Sequence, residues 1–201
     1  KHTLEGDLTF DLDSAGVGAA LSGVTGAFVD GRAETDLDMP SQLGFGLRYD
    51  VPDTGLTLAA NAWRTGWSSY DELRVEFANP AQADDVTTGD WNDVWAYSIG
   101  AEFAASDRLT ARIGAMRDDS PTPDATRSPR IPDNDRTWIA GGVTYHLSPS
   151  ASATLSGAQM FVKDAEINLT PAAPENAFRG NLSGVSEASA KVVSVQITFR
   201  R

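Results

Sequence analysis

Residues 114–147, GAMRDDSPTPDATRSPRIPDNDRTWIAGGVTYHL, decide the fold. The stretch opens at the end of one alternating segment, crosses a proline-rich polar loop and enters a second alternating segment. In 108–116, RLTARIGAM, one parity carries Leu109, Ala111, Ile113 and Ala115, and the other Arg108, Thr110, Arg112 and Gly114. After the loop, Ile139, Gly141, Val143, Tyr145 and Leu147 share one parity against Trp138, Ala140, Gly142, Thr144 and His146. A period of two is the signature of a strand, whose successive side chains point to opposite faces of a sheet. Alternation alone leaves the solvent open, because a water-soluble antiparallel sheet also has one apolar and one polar face.

The same period recurs in both directions from this stretch. Leu43, Phe45, Leu47, Tyr49 and Val51 alternate with Gly44, Gly46, Arg48 and Asp50. Pro52-Asp53-Thr54-Gly55 then supplies tight-turn chemistry before Leu56, Leu58, Ala60 and Ala62. Trp95, Tyr97, Ile99, Ala101 and Phe103 alternate with Ala96, Ser98, Gly100 and Glu102, and Val193, Val195, Ile197 and Phe199 with Val192, Ser194, Gln196 and Thr198. A first strand is predicted over 3–13, and 56–77 reads as one long strand. Further short turns fall at 105–107 and 147–150, against long connections at 78–92 and 163–188. In 14–28, SAGVGAALSGVTGAF, the glycines at 16, 18, 23 and 26 predict no long regular helix.

Composition excludes some classes of function. The chain has 201 residues, 41% of them hydrophobic, and a formal charge of -12, which argues against nucleic acid as a partner. No apolar run approaches the roughly 18 residues of a transmembrane helix, but a membrane-crossing strand needs only about 9–11, half of which can be polar. There is no cysteine, so disulfide frameworks and thiolate zinc sites are ruled out. The two histidines, His2 and His146, lie near no serine nucleophile motif, and no glycine-rich phosphate loop or metal-ligand spacing is present. We therefore expect neither an enzyme nor a cofactor.

Specific motifs carry a resemblance. Asp118-Asp119-Ser120-Pro121 followed by Pro129-Arg130-Ile131-Pro132-Asp133-Asn134-Asp135-Arg136 and an aromatic strand resembles a loop of the FadL/TodX family of outer-membrane channels for long-chain fatty acids and other hydrophobic compounds. Gly66-Trp67-Ser68-Ser69-Tyr70-Asp71-Glu72-Leu73-Arg74-Val75-Glu76-Phe77, Trp91-Asn92-Asp93-Val94-Trp95 and Phe161-Val162-Lys163-Asp164-Ala165 match in order and spacing, from about residue 41 onward. The resemblance implies an antiparallel up-and-down transmembrane β-barrel, with about eight strands here out of about 14 in the family. Residues 1–201 would then be a single domain, the C-terminal part of such a barrel, with the N-terminal plug and first strands lying outside it. It also implies the outer membrane of a Gram-negative bacterium, lipid and lipopolysaccharide as surroundings, a monomeric complete barrel, and fatty acids or aromatic hydrocarbons as ligands.

Asp118 matches a ligand-site position of that family, and the nearby Arg112, Arg117, Arg130, Arg136 and Trp138 are taken with it as candidate ligand-binding residues. A carboxylate would favour arginine, whose fork pairs bidentately. The same Arg and Asp residues also fit a salt-bridge lattice that stiffens a barrel wall, and both readings stand. The family's fatty-acid binder carries a lysine in the loop matching 78–92, where this chain has no Lys or Arg, which leaves room for neutral ligands. Trp63, Trp67 and Tyr70 are expected to form an aromatic girdle where the strand leaves hydrocarbon. A non-transporting outer-membrane barrel or surface receptor, and a soluble β-sandwich binding module, remain as alternatives. The sandwich requires Trp95, Tyr97, Ile99 and Phe103 to be covered by a second layer.

Overall fold

The computed structural model describes residues 2–13, 16–170 and 180–200. In chain order its elements are β1 (His2–Leu8), α1 (Val17–Thr25), β2 (Gly31–Leu37), β3 (Ser41–Val51), β4 (Leu56–Gly66), β5 (Glu72–Phe77), β6 (Asp85–Thr88), β7 (Val94–Ser106), β8 (Leu109–Asp118), β9 (Arg136–Ser148), β10 (Ala151–Val162), β11 (Ala165–Leu169), β12 (Leu182–Ser186) and β13 (Ser189–Phe199). The chain divides into two compact units: Lys1–Pro40 with Trp67–Trp91 and Leu169–Leu182, and Ser41–Gly66 with Asn92–Asn168 and Ser183–Arg201.

The second unit is built on a seven-stranded sheet in the order β13-β10-β9-β8-β7-β4-β3, antiparallel at every ladder. Its tight turns, at 52–55, 107–108 and 149–150, join strand ends on one side of the sheet, and every long connection leaves from the other. The first turn needs its glycine. Gly55 sits at φ 67°, and a Cβ there would come 3.0 Å from the Ala104 carbonyl oxygen.

Register places the predicted apolar parities of six strands, and that of Ala151, Ala153 and Leu155 on β10, on one face. Leu47, Ala60, Ile99, Ala115 and Ile139 lie in one row across the ladders, and Val51, Leu56, Phe103, Ala111, Val143, Leu155 and Val195 in another. Nothing covers this face among the described residues: Ile99 is 68% exposed, Ile113 65% and Val195 72%. Tyr97 and Phe103 are also exposed, so the described residues supply no second layer of the kind a soluble sandwich requires. Charged and amide side chains enter the face among the described strand residues toward the long-connection side. Arg117 stands opposite Tyr97 on β7, whereas Gln159 and Lys191 stand one row deeper, with Ile139. A boundary that slips along the strands from β8 to β13 is what strand tilt produces in a barrel wall.

The structure corrects several local expectations. The first strand covers His2–Leu8 and pairs with β2 in a separate four-stranded sheet, β1-β2-β5-β6, so the large sheet holds seven of the roughly eight strands expected. Residues 56–77 are not one strand. β4 ends at Gly66, a 3-10 turn follows at Trp67–Ser69, closed by Tyr70 N–H donating to the Trp67 carbonyl at 2.8 Å, and β5 joins the smaller sheet. The predicted girdle is also differently placed. Trp63 pairs with Gly44 and Ala96, on the face opposite the apolar one. Trp67 and Tyr70 instead pack on Trp91, at centroid distances of 4.9 and 4.6 Å. Despite its glycines, 17–25 forms a nine-residue helix, ended by Gly26 at φ 73°. Of the long connection 163–188, residues 171–179 lie outside the described ones, and β11 and β12 form a two-stranded sheet.

Candidate functional site

The face opposite the apolar one carries the candidate site, and it is layered. Four successive rows follow from the register. Nearest the long connections run Trp63, Ala96, Asp118, Arg136 and Val162. Next come Asn61, Ser98, Met116, Trp138, Met160 and Ala190. The third row, Ala59, Gly100, Gly114, Ala140 and Ala158, has no large side chain on five adjoining strands. The fourth is polar: Thr57, Glu102, Arg112, Gly142, Ser156 and Ser194. A thioether–indole–thioether shelf therefore lies between an ionic rim and a bare strip, with polar groups beyond. Methionine and tryptophan together make an adaptable, polarizable surface for apolar molecules.

Three residues of the bare strip, Gly114, Ala140 and Ala158, line a recess of about 480 Å³ together with Gly142, Ser156 and Val192, within the usual range for small-molecule sites. A Cβ added at Gly100 or Gly114 would meet only backbone of the adjoining strand, at 3.4 and 3.2 Å, so no side chain packs onto either position. A larger recess, about 780 Å³, lies on the exposed apolar face beside Leu47, Leu58, Ile99 and Ile139. Among its lining residues only Tyr49 carries a polar side-chain group, so we place the site on the opposite face.

Arg112 sits at the polar end of this surface. Its Nε donates to Glu102 Oε2 at 2.6 Å and its Nη1 to Thr144 Oγ1 at 2.7 Å, and Thr144 Oγ1 lies 2.9 Å from Thr154 Oγ1. His146 shares this face, with Nε2 3.5 Å from Thr110 Oγ1.

At the other end four of the candidate residues belong to, or border, one ionic network. Arg136 pairs with Asp118 at 3.1 Å and with Asp133 at 3.7 Å. Arg117, a candidate that the register puts on the apolar-face parity rather than on the site's face, pairs with Asp119 at 2.9 Å and Asp135 at 2.6 Å. Ser120 joins the halves: its hydroxyl donates to Asp133 at 2.7 Å and its amide to Asp135 at 3.1 Å. Trp138 lies one row below Arg136. Arg112 is separated from the network by the shelf and the bare strip. Arg130 lies outside it, exposed on the loop and without an ion pair among the described residues.

Sequence reasoning missed two contributors. Met116 and Met160 flank Trp138 in register, and the signal was available: Met116 stands on the parity of Thr110 and Arg112, and Met160 on that of Ser152, Thr154 and Ser156. The role of Arg127 was also hidden. Only 2% exposed, it donates to the carbonyls of Asp133, Glu166 and Thr122 at 2.8, 3.2 and 3.3 Å and to Asp124 at 2.6 Å, tying the proline-rich loop to β11. Asn134 reinforces the tie through the Asp164 carbonyl at 2.7 Å. These bonds hold Asp133 and Asp135 in place for the network.

The chain is similar to known proteins in sequence and fold. Residues 1–200 match the family model described as outer membrane protein transport protein (OMPP1/FadL/TodX). The long-chain fatty acid transport protein of Salmonella typhi is 32% identical over 107 residues, 53% of this chain and 24% of that protein. A putative outer membrane protein of Neisseria meningitidis serogroup B is 23% identical over 211 residues, covering 100% of this chain and 45% of its own length. The crystal structure of a Pseudomonas aeruginosa FadL homologue superimposes with a TM-score of 0.84 at 25% identity, covering 98% of this chain and 46% of the other. The P. putida toluene transporter TodX shares the fold, with a TM-score of 0.53 at 16% identity over 85% of this chain and 37% of its own. The chain thus spans a quarter to about half the length of these relatives. It belongs to the OMPP1/FadL/TodX family, antiparallel β-barrel proteins of the Gram-negative outer membrane.

Proposed function

We propose that this chain forms part of the wall of an outer-membrane channel through which long-chain fatty acids or other hydrophobic compounds diffuse passively. One observation supports this above the rest. A single register puts exposed hydrocarbon side chains on one face of seven strands and, on the other, an apolar shelf and bare strip enclosed between ionic and polar rows. The first face suits lipid and the second a solute that must leave water without entering lipid. No bond needs to be broken, so the side chains act by position: Trp138, Met116 and Met160 take up apolar surface, while Asp118, Arg136 and Arg112 frame the ends. In the complete protein the open edges at β3 and β13 are paired by the remaining strands, giving a monomeric barrel.

Uptake tests the proposal. The complete protein, reconstituted in liposomes, is expected to speed entry of labelled oleate or toluene well above protein-free vesicles. Uptake equal to protein-free vesicles for both would leave a non-transporting barrel or receptor as the reading.

A further inference from the structure

We infer that the apolar face of the large sheet carries, toward its long-connection end, a binding belt for the phosphorylated head group of an outer-leaflet glycolipid. Lys191, Arg117 and Arg64 are its phosphate contacts, and the Trp95–Tyr97 ring pair is a platform for its sugars. The belt lies on the lipid side of the wall and goes beyond the channel reading, since it would hold in a barrel that carries no solute.

Three exposed basic side chains stand at one height on this face. Arg64, Arg117 and Lys191 have the apolar-face parity of β4, β8 and β13, and each lies eight residues from the short-turn end of its strand, at Leu56, Leu109 and Phe199 respectively. Across the ladders they descend by steps: Arg64 lies one row above Tyr97 and Arg117, and Lys191 one row below them. From β4 to β13 this is two rows over five strand spacings, about 14 Å in about 24 Å, an incline of roughly 30° against the 35–45° tilt of barrel strands. A line that crosses the ladders at nearly the strand tilt runs level in the membrane. Eight residues cover about 27 Å of strand, or about 19–22 Å of height at a 35–45° tilt, so all three reach the upper part of an outward apolar band about 25 Å tall.

Charge is sorted around that level. The acidic residues of these seven strands, Asp50, Glu102 and Asp118, all take the opposite face, as do Arg48 and Arg112 nearer the short turns. On the apolar face only basic side chains are charged within the strands, and carboxylates return just above them: Asp93 pairs with Arg64, and Asp119 and Asp135 with Arg117. Lys191 has no ion pair among the described residues, and its ladder neighbour is the neutral Gln159. A phosphate layer at the top of the hydrocarbon suits this order, because phosphate draws charge-assisted hydrogen bonds from lysine and arginine and long basic side chains reach up to it. The unshared Lys191 is then its strongest contact.

The rings say which head group. Trp95 and Tyr97 stack on this face, 5.9 Å apart and within 9° of parallel, with Arg64 across the ladder on one side and Arg117 on the other. Such rings suit the membrane interface, and their faces take the apolar C–H side of a sugar ring. A glycerol phospholipid has no ring to lay there, so the pair favours a glycolipid. Below it, the recess of about 780 Å³ beside Leu47, Leu58, Ile99 and Ile139 is open to an acyl chain. Long connections mark this end of the barrel as the outward one, where the outer leaflet lies.

The test titrates three lipids onto the complete protein in detergent and reads bound lipid by native mass spectrometry: lipid A with two phosphates, the same lipid with both removed, and phosphatidylglycerol. Lipid A with its phosphates is expected to bind at least fivefold more tightly than either of the others. Lys191→Gln should weaken it at least threefold while Lys191→Arg keeps it. Arg117→Gln and Arg64→Gln should weaken it less, since loop carboxylates already share those groups. Trp95→Leu should narrow the gap between lipid A and phosphatidylglycerol. Arg48→Gln, on the opposite face, should change nothing. Equal binding of the phosphorylated and dephosphorylated lipids, or wild-type binding by Lys191→Gln, would overturn the belt. Phosphatidylglycerol held as tightly as lipid A would overturn the choice of a glycolipid. Oleate or toluene uptake that persists in liposomes without lipid A binding would sink the belt alone and leave the channel reading standing.

Discussion

Ile99→Arg sets the membrane reading against its soluble alternative with opposite expectations. Ile99 lies midway along the apolar run Trp95–Phe103 on β7, between Ala60 on β4 and Ala115 on β8, and is 68% exposed. In water an exposed isoleucine replaced by arginine changes stability within about 0.5 kcal/mol. In a bilayer the same position is near mid-depth. Four residues separate it from Trp95, about 13 Å along the strand, too far for a guanidinium to reach the interface fully. A charge at such a depth on a barrel costs about 2–4 kcal/mol, against about 0–1 near the interfaces. That cost lowers the folded-to-unfolded ratio by roughly 30- to 1,000-fold. The assay is reversible guanidinium unfolding of the complete protein in short-chain lipid vesicles, followed by tryptophan emission. Two controls bracket the result: Tyr97→Arg, nearer the rim, should cost less, and Ser194→Arg, on the opposite face, about 0–0.5 kcal/mol. If Ile99→Arg matched Ser194→Arg, the apolar face would not be meeting hydrocarbon, and the membrane assignment of the sheet would fall with it.

Three further outcomes follow from the loops. Arg127→Met should leave the carbonyls of Thr122, Asp133 and Glu166 short of a donor, costing about 1–3 kcal/mol locally; hydrogen exchange across 119–135 should rise severalfold, and unchanged protection would show that Arg127 does not pin the loop. Gly89→Ala should destabilise the smaller unit by about 1–3 kcal/mol, because the new Cβ would sit 2.6 Å from the Tyr70 ring, which a thermal melt would detect as a lowered midpoint. Burial holds the Tyr70 phenol above its ordinary value of 10.0. The unfolded phenol therefore ionises first, and the stability from this packing is complete below about pH 10 and lost as pH rises through the higher folded value. The absorbance difference at 295 nm between the wild type and Tyr70→Phe should titrate above pH 10; a midpoint at or below 10 would contradict the packing.

Period-two alternation made the large sheet legible. Leu43 to Val51, Trp95 to Phe103 and Val193 to Phe199 each fall on the face their parity assigned, and the turn at 52–55 lies where Pro, Asp and Gly placed it. What alternation cannot carry is the identity of a strand's neighbours. Residues 2–8 alternate like the rest, yet pair with Gly31–Leu37, because pairing depends on a partner segment rather than on period. Trp63 was misassigned by residue type: tryptophan suits an interface, but its parity is that of Asn61 and Thr65. At the candidate site, the motif around Asp118 led to the ionic rim, whereas the shelf needed cross-strand register to bring Met116 and Met160 beside Trp138.

The third row is where fold and function separate. Gly100 and Gly114 face each other across the β7–β8 ladder, neither has a positive φ, and a Cβ at Gly100 would make only an ordinary 3.4 Å contact. Glycine inside a strand costs about 0.5–1 kcal/mol relative to alanine, so backbone geometry alone gives Gly100 no reason to be there. The apolar face shows no comparable row: the rows through Ile99, Ile113 and Phe103 each carry several large aliphatic or aromatic side chains, because lipid contact requires them. On the proposed channel reading, five adjoining strands that give up side-chain volume on this face, directly beside an indole flanked by two thioethers, exchange strand stability for space where an apolar solute can rest.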